Sequence, residues 1–287
     1  MEYQSFSLSV DAHIAHLVLN RPEKRNPLTR SFWQEFPEAI RALDAEASAR
    51  VLVISSQGPY FCSGLDVSML GNLQTLPTGE RELTHARIAM PTTRYEDIRG
   101  LQESFNALER FRMPVIAAVQ GGCIGGGLDM VAACCMRYAS ADAFFSVFEI
   151  NVGLPPDMGT IPRLKNFLPE GVMRELAYTG RRMDAQEAQQ RGLVNQVFEN
   201  QQAMLDGVMA IAREIATKAP LAVHASKRLI SYARDHSTED SLNYVALWIG
   251  GLISSEQIRE AGKSRVERRP ADFADLPRGQ PGANRLG

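Results

Sequence analysis

Two short runs, "VLVISS" at 51–56 and "VIAAV" at 115–119, are apolar along almost their whole length. An apolar run of this size, bounded by turn residues, reads as a strand buried on both faces. Such strands belong to sheets covered by helices. Each runs on into glycine, through "GPYFCSGLDV" after the first and "QGGCIGGGLDM" after the second. Helical segments separate them, and strand, helix and strand recurring in this way predicts a layered α/β fold.

The remaining segments fit that frame. "FSLSV" and "IAHLVLN", joined by "DAH", alternate as the two strands of a hairpin. "RPEKRNPLT" is a loop, and Thr29 or Ser31 can cap a helix that runs to about residue 45. A helix over "YEDIRGLQESFNALERF" precedes the second buried strand, and the apolar helix "GLDMVAACCM" and strands around "RYASAD" and "AFFSVF" follow it. Residues 71–100 are less patterned. Residues 170–216 turn mostly helical and 217–266 wholly so, which suits a lid, a docking element or an oligomer contact. The end, "RRPADFADLPRGQPGANRLG", is rich in Pro and Gly, and poor order is expected beyond about residue 273.

Composition narrows the function classes. A net charge of -2 over 287 residues gives no electrostatic reason to expect nucleic acid or an anionic membrane as partner. No segment approaches the roughly 18 apolar residues of a bilayer span. Cys62, Cys123, Cys134 and Cys135 show no CxxC spacing and the five histidines no ligand constellation, so no metal site is expected. Buried thiols suggest a reducing compartment. The start "MEYQSFSLSV" lacks the basic and apolar stretches of a signal peptide, and the final "RLG" is not a peroxisomal address. The expectation is a cytoplasmic protein.

The two glycine turns have a shared chemistry. Ser63-Gly64 lets the chain turn sharply and frees the N–H of Leu65 to point into a cleft. Alone, that stretch also reads as an ordinary strand-to-helix connection with Asp66 near the helix start. Gly125, Gly126 and Gly127 open an apolar helix, exposing N–H groups at its positive end. Neither GxGxxG nor GK[ST] is present, so dinucleotide and P-loop phosphate binding are not supported. Both turns follow buried strands, and ligands bind at such strand ends. Two converging N–H donors stabilise negative charge on a carbonyl oxygen, each donor worth roughly 3 kcal/mol.

Acids lie close by in sequence. "FEINVGLPPDMG", residues 148–159, holds Glu149 and Asp157 in stiff, apolar company, with Pro155 and Pro156 between them. Asp129 sits in the first turn of the glycine-opened helix, where the helix dipole alone would favour an acid.

"FCSGLDV" and "GGCIGGGLDMVAAC", with "RPEKRN", "GLVNQVF" at 192–198 and "SKRLISYARDHS" at 226–237, resemble the enoyl-CoA hydratase/isomerase (crotonase) superfamily over residues 5 to 270. The resemblance implies a spiral of ββα units over 1–216 and a helical C-terminal trimerisation region over 217–270, with the Pro- and Gly-rich 271–287 expected as a flexible tail from composition. It implies an acyl-CoA thioester as substrate, with coenzyme A part of that substrate and no separate cofactor, and homotrimers or dimers of trimers. The backbone N–H groups of Leu65 and Gly126 match the oxyanion donors. Ser63, Gly64, Asp66 and Gly125 flank them, Lys24, Arg25 and Lys227 match regions near the CoA phosphates, and residues 71–100 are expected to shape the acyl pocket.

The acids decide the reaction, since fold and function separate. Hydratases of the superfamily carry a glutamate two residues after the glycine triplet and another in the next loop. Here the first is Asp129, the second is Glu149, and Asp157 is additional. That pattern resembles the dienoyl-CoA isomerases of β-oxidation, which move double bonds from 3,5 to 2,4. A proton leaves C2 and another joins C6, and two separated acids suit carbons so far apart. The resemblance implies Glu149 as the C2 base, Asp157 as the C6 acid and Asp129 as an orienting group. The alternatives are a hydratase using Asp129 and Glu149 on water, and a non-catalytic acyl-CoA-binding scaffold.

Overall fold

The computed structural model describes residues 3–66, 68, 69 and 80–279. The chain opens with strands β1 (Phe6–Asp11) and β2 (Ile14–Leu19), helix α1 (Arg30–Glu46), strands β3 (Val51–Ser56) and β4 (Tyr60–Cys62), and helix α2 (Glu80–Arg110). There follow β5 (Val115–Val119), β6 (Gly122–Ile124), α3 (Gly126–Ala132), β7 (Met136–Ser140) and β8 (Phe144–Ser146). Then come α4 (Thr160–Leu164), α5 (Glu170–Thr179), β9 (Met183–Asp184), α6 (Ala185–Gln190), β10 (Gln196–Phe198) and α7 (Gln201–Ala216). The last helices are α8 (Pro220–Tyr232), α9 (Thr238–Leu252) and α10 (Ser255–Glu267).

From β3 to β8 successive strands alternate between two sheets. One sheet runs β1-β2-β3-β5-β7-β10 and the other β4-β6-β8-β9. The pairs β3/β4, β5/β6 and β7/β8 each place a strand in both sheets before the chain leaves, and β6 leads directly into α3. This is the expected spiral of ββα units. Apart from the β1/β2 hairpin and the β8/β9 pair the strands are parallel. Every residue of β3 and of β5 is buried, as uniform apolarity requires of strands covered on both faces. One face packs against α7 through Val51, Val53, Ile116, Ala118, Met204 and Val208. The other joins the main core with Leu52, Ile54, Phe32, Phe36 and Phe105. Thr29, one of the two expected caps, is the residue that starts α1, its hydroxyl accepting from Phe32 N–H.

Two expectations differ from the structure. The weakly patterned region becomes the long helix α2 from Glu80 onward, while 71–79 lie outside the described residues. The expected flexible tail is bound down through residue 279. Arg50 donates to Phe273 O and pairs with Asp275, Arg112 donates to Pro277 O, and Gly279 N–H donates to Ala45 O. Pro and Gly remove helix propensity there, but not the acceptors that core arginines reach.

Candidate active site

The two glycine turns meet. Gly64 has φ +87, and a Cβ there would lie 2.9 Å from Ile124 O and 3.5 Å from Gly126 N. A side chain at either turn would fill the space between them. Leu65 forms a parallel bridge with Leu28 in which Leu28 N–H donates to Gly64 O at 2.8 Å and Asp66 N–H to Leu28 O at 3.1 Å. Those bonds use the groups flanking Leu65, so its own N–H faces the opposite side. Gly126 opens α3, where its N–H belongs to the helix's unpaired first turn. A Cβ on Gly126 would sit 3.9 Å from Leu65 N, so the two nitrogens border one small space.

What braces that space was not singled out from the sequence. Asn26 is buried, with φ +52. Its Oδ1 accepts from Arg21 N–H, and its Nδ2 donates to Gln57 O and Tyr60 O, all at 2.8–2.9 Å. Ser63 N–H donates to Arg25 O at 3.0 Å. The "RPEKRN" loop is thereby stapled to the turn that carries Leu65. An Asn tolerates the left-handed conformation that the staple requires.

Three carboxyl groups converge behind the turns. Asp129 is fully buried in the first turn of α3, and Thr160 Oγ1 donates to its Oδ1 at 2.5 Å. Its Oδ2 is buried with no hydrogen-bond partner among the described residues. Burial pushes its pKa up to about 7, against the Thr160 hydrogen bond and with repulsion from Glu149 and Asp157 adding to the rise. Glu149 starts a 3-10 turn over Glu149–Val152, and its Oε2 is likewise buried and unpartnered. A Cβ on Gly125 would come within 3.1 Å of Glu149 Oε1, and Gly125 has φ +52. Glycine is therefore required twice over, for the backbone angle and for the carboxylate's room. Burial raises the Glu149 pKa first, and the Asp157 charge raises it further. Asp157 is half-buried, and burial raises it too. Its turn is held by Gln102 Nε2, which donates to Asp157 O at 2.7 Å, and by Arg163 Nη1, which donates to Met158 O at 3.1 Å. Gln102 lies on α2, while Thr160 and Arg163 share α4, and no pattern in the sequence announced them.

The basic residues fare differently. Lys227 is engaged elsewhere: its Nζ donates to Leu108 O, Phe111 O and Met113 O at 2.6–3.0 Å, capping the end of α2 and the turn beyond. Burial lowers its pKa. The expected phosphate contact gives way to a structural one, because three carbonyls at a helix end hold the ammonium better than a surface position does. Lys24 and Arg25 are exposed beside the Leu65 turn, with the Arg25 guanidinium 5.0 Å over the Tyr60 ring. Asp66 accepts from Ser68 N–H, which holds its pKa low, so its carboxylate serves the local turn. Among the described residues no group of three metal-ligating side chains comes together.

This arrangement can hold a carbonyl oxygen between two N–H groups while carboxyls of raised pKa face the adjoining carbons. Residues 9–277 match the model of the enoyl-CoA hydratase/isomerase family, and the chain belongs to that family. It is an enzyme of the crotonase superfamily. It is 41% identical over 269 residues to the mitochondrial Δ(3,5)-Δ(2,4)-dienoyl-CoA isomerase of Homo sapiens, covering 93% of this chain and 80% of that one. It is 37% identical over 268 residues to the peroxisomal isomerase of the same name from Arabidopsis thaliana, covering 93% and 95%. The crystal structure of an enoyl-CoA hydratase from Bacillus anthracis superposes with a TM-score of 0.82 at 26% identity, over 96% of this chain and all (100%) of that one. The mitochondrial and peroxisomal addresses of these relatives overturn the cytoplasmic expectation. No helix among the described residues is long and apolar enough to cross a membrane.

Proposed function

We propose that the protein converts 3,5-dienoyl-CoA to 2,4-dienoyl-CoA. The thioester oxygen sits between the N–H groups of Leu65 and Gly126. Glu149, ionised, takes the proton from C2, and the charge spreads through the diene to that oxygen. Asp157, protonated, delivers a proton to C6. Each N–H donor lowers the barrier by roughly 3 kcal/mol if it meets the oxygen only as charge develops. Asp129 is an orienting group, its carboxyl held by Thr160 and coupled to Glu149. The reaction is redox-neutral, so the substrate's own coenzyme A is the only cofactor it requires. Lys24 and Arg25 meet the CoA phosphates as charged hydrogen bonds.

The carrying observation is the third acid. Hydration asks for two carboxyls on one water, whereas here Asp157 is a third carboxyl within electrostatic reach of both Glu149 and Asp129, its own pKa raised by burial. The assembly is a homotrimer or a dimer of trimers. Support comes from α9, which buries no residue within the single chain and exposes Leu242, Leu247, Ile249 and Leu252 at 51–71%, an apolar face that a lone soluble chain rarely shows.

The test offers the purified protein two thioesters. With 3,5-dienoyl-CoA the expected product is the conjugated 2,4 isomer, seen by its ultraviolet absorption with no oxygen gained. Efficient conversion of 2-enoyl-CoA to 3-hydroxyacyl-CoA, with the diene untouched, would make the protein a hydratase.

A further inference from the structure

A turnover of the proposed kind leaves the acids in the wrong state for the next. Glu149 ends protonated and Asp157 ionised. Before the site acts again one proton must leave Glu149 and one must reach Asp157. Direct transfer between them would carry the C2 proton to C6. Separate exchange with water would not.

Asp157 has its own access to water. A cavity of about 620 Å³ lies between α2, α4 and α8, and Asp157 lines it with Gln102, Arg163, Arg228, Ser231 and Arg234. Neither Glu149 nor Asp129 borders it. Its rim includes the exposed residues Lys165, Asn166 and Arg228. Many of the lining side chains are polar, and the space has room for several waters at about 30 Å³ each. Some of its cations are paired: Arg163 and Arg234 share Glu109, and Arg110 pairs with Glu103, while Arg99, Lys165, Arg228 and Asp235 also line the space. Burial is the leading influence on the Asp157 carboxyl and raises its pKa against its own backbone hydrogen bond. Gln102 and Arg163, which grip the Asp157 turn, also form the cavity wall.

We propose that this cavity reloads Asp157: after each turnover its carboxylate regains a proton through water held between α2, α4 and α8, so the C6 proton comes from solvent and not from C2. Glu149 releases its proton to solvent separately, and no net proton is consumed. The inference rests on the isomerase reading above. A protein that forms no conjugated product fails that reading, and the failure is distinct from the one tested here.

Substrate deuterated at C2, turned over in ordinary water, is expected to give product with no label at C6. Filling the cavity by Ser231→Trp, or from the facing wall by Asn166→Trp, is expected to lower kcat about tenfold while a single turnover of proton-loaded enzyme keeps its rate. Label from C2 appearing at C6 in most of the wild-type product would overturn the proposal, even if neither variant folds. So would two folded tryptophan variants that sustain the wild-type steady-state rate.

Discussion

The substitution Asp129→Asn removes a charge and little else, and its effect on stability can be worked out in advance. The Asp129 carboxyl rises from 3.8 to about 7 on folding. Between those values the folded protein keeps a proton that the unfolded chain has released. The group's contribution is therefore fully favourable below pH 3.8 and is lost as pH rises through about 7. At ~1.4 kcal/mol per pH unit the total loss is roughly 4 kcal/mol. About 3 kcal/mol of it falls between pH 5 and pH 8. The asparagine side chain cannot ionise, and its Oδ1 still accepts from Thr160. Its Nδ2 replaces an oxygen that has no hydrogen-bond partner among the described residues, a cost of about 1–3 kcal/mol that does not depend on pH. Urea unfolding of both proteins at pH 5 and pH 8 separates these effects. The variant should gain about 3 kcal/mol on the wild type between the two pH values, or roughly 6 °C in melting temperature. An unchanged difference would refute the claim that Asp129 is a buried acid of raised pKa.

Other expectations follow from the same geometry. Asp157→Asn should lower kcat by about 100-fold with a smaller change in KM, as for a group acting in the transition state; steady-state kinetics on the diene checks this. Gly125→Ala places a Cβ 3.1 Å from Glu149 Oε1 at φ +52, and should cut turnover by tenfold or more at unchanged CoA affinity, with calorimetry reading the second quantity. Lys227→Met leaves three carbonyls without their donor, and should cost roughly 3 kcal/mol in urea unfolding while CoA affinity stays the same.

Which parts were legible depended on whether the signal was local. The buried strands announced themselves because apolarity along β3 and β5 has no other reading at that length, and the glycine turns because three adjacent glycines exceed what packing needs. The acids stood out by their apolar neighbours. Asn26, Thr160, Gln102 and Arg163 were silent, since each acts on a segment at least 31 residues away or through a turn whose shape only the fold reveals. Lys227 misled for the converse reason: a basic residue in a matching segment looks the same whether its ammonium faces phosphate or the end of α2. The short strands β9 and β10 were lost in a helical background, because two or three residues carry no period. The closing segment had the composition of a flexible tail, while its order comes from Arg50 and Arg112 far upstream.

The central claim is that one thioester can be gripped at Leu65 and Gly126 while its chain runs past Glu149 to Asp157. Its most direct test is a crystal structure of the Glu149→Gln variant holding 3,5-dienoyl-CoA. The account requires the thioester oxygen about 2.7–3.1 Å from both backbone nitrogens, with the Asp157 carboxyl against C6. An acyl chain that leaves Asp157 facing bulk solvent, with C6 elsewhere, would contradict it.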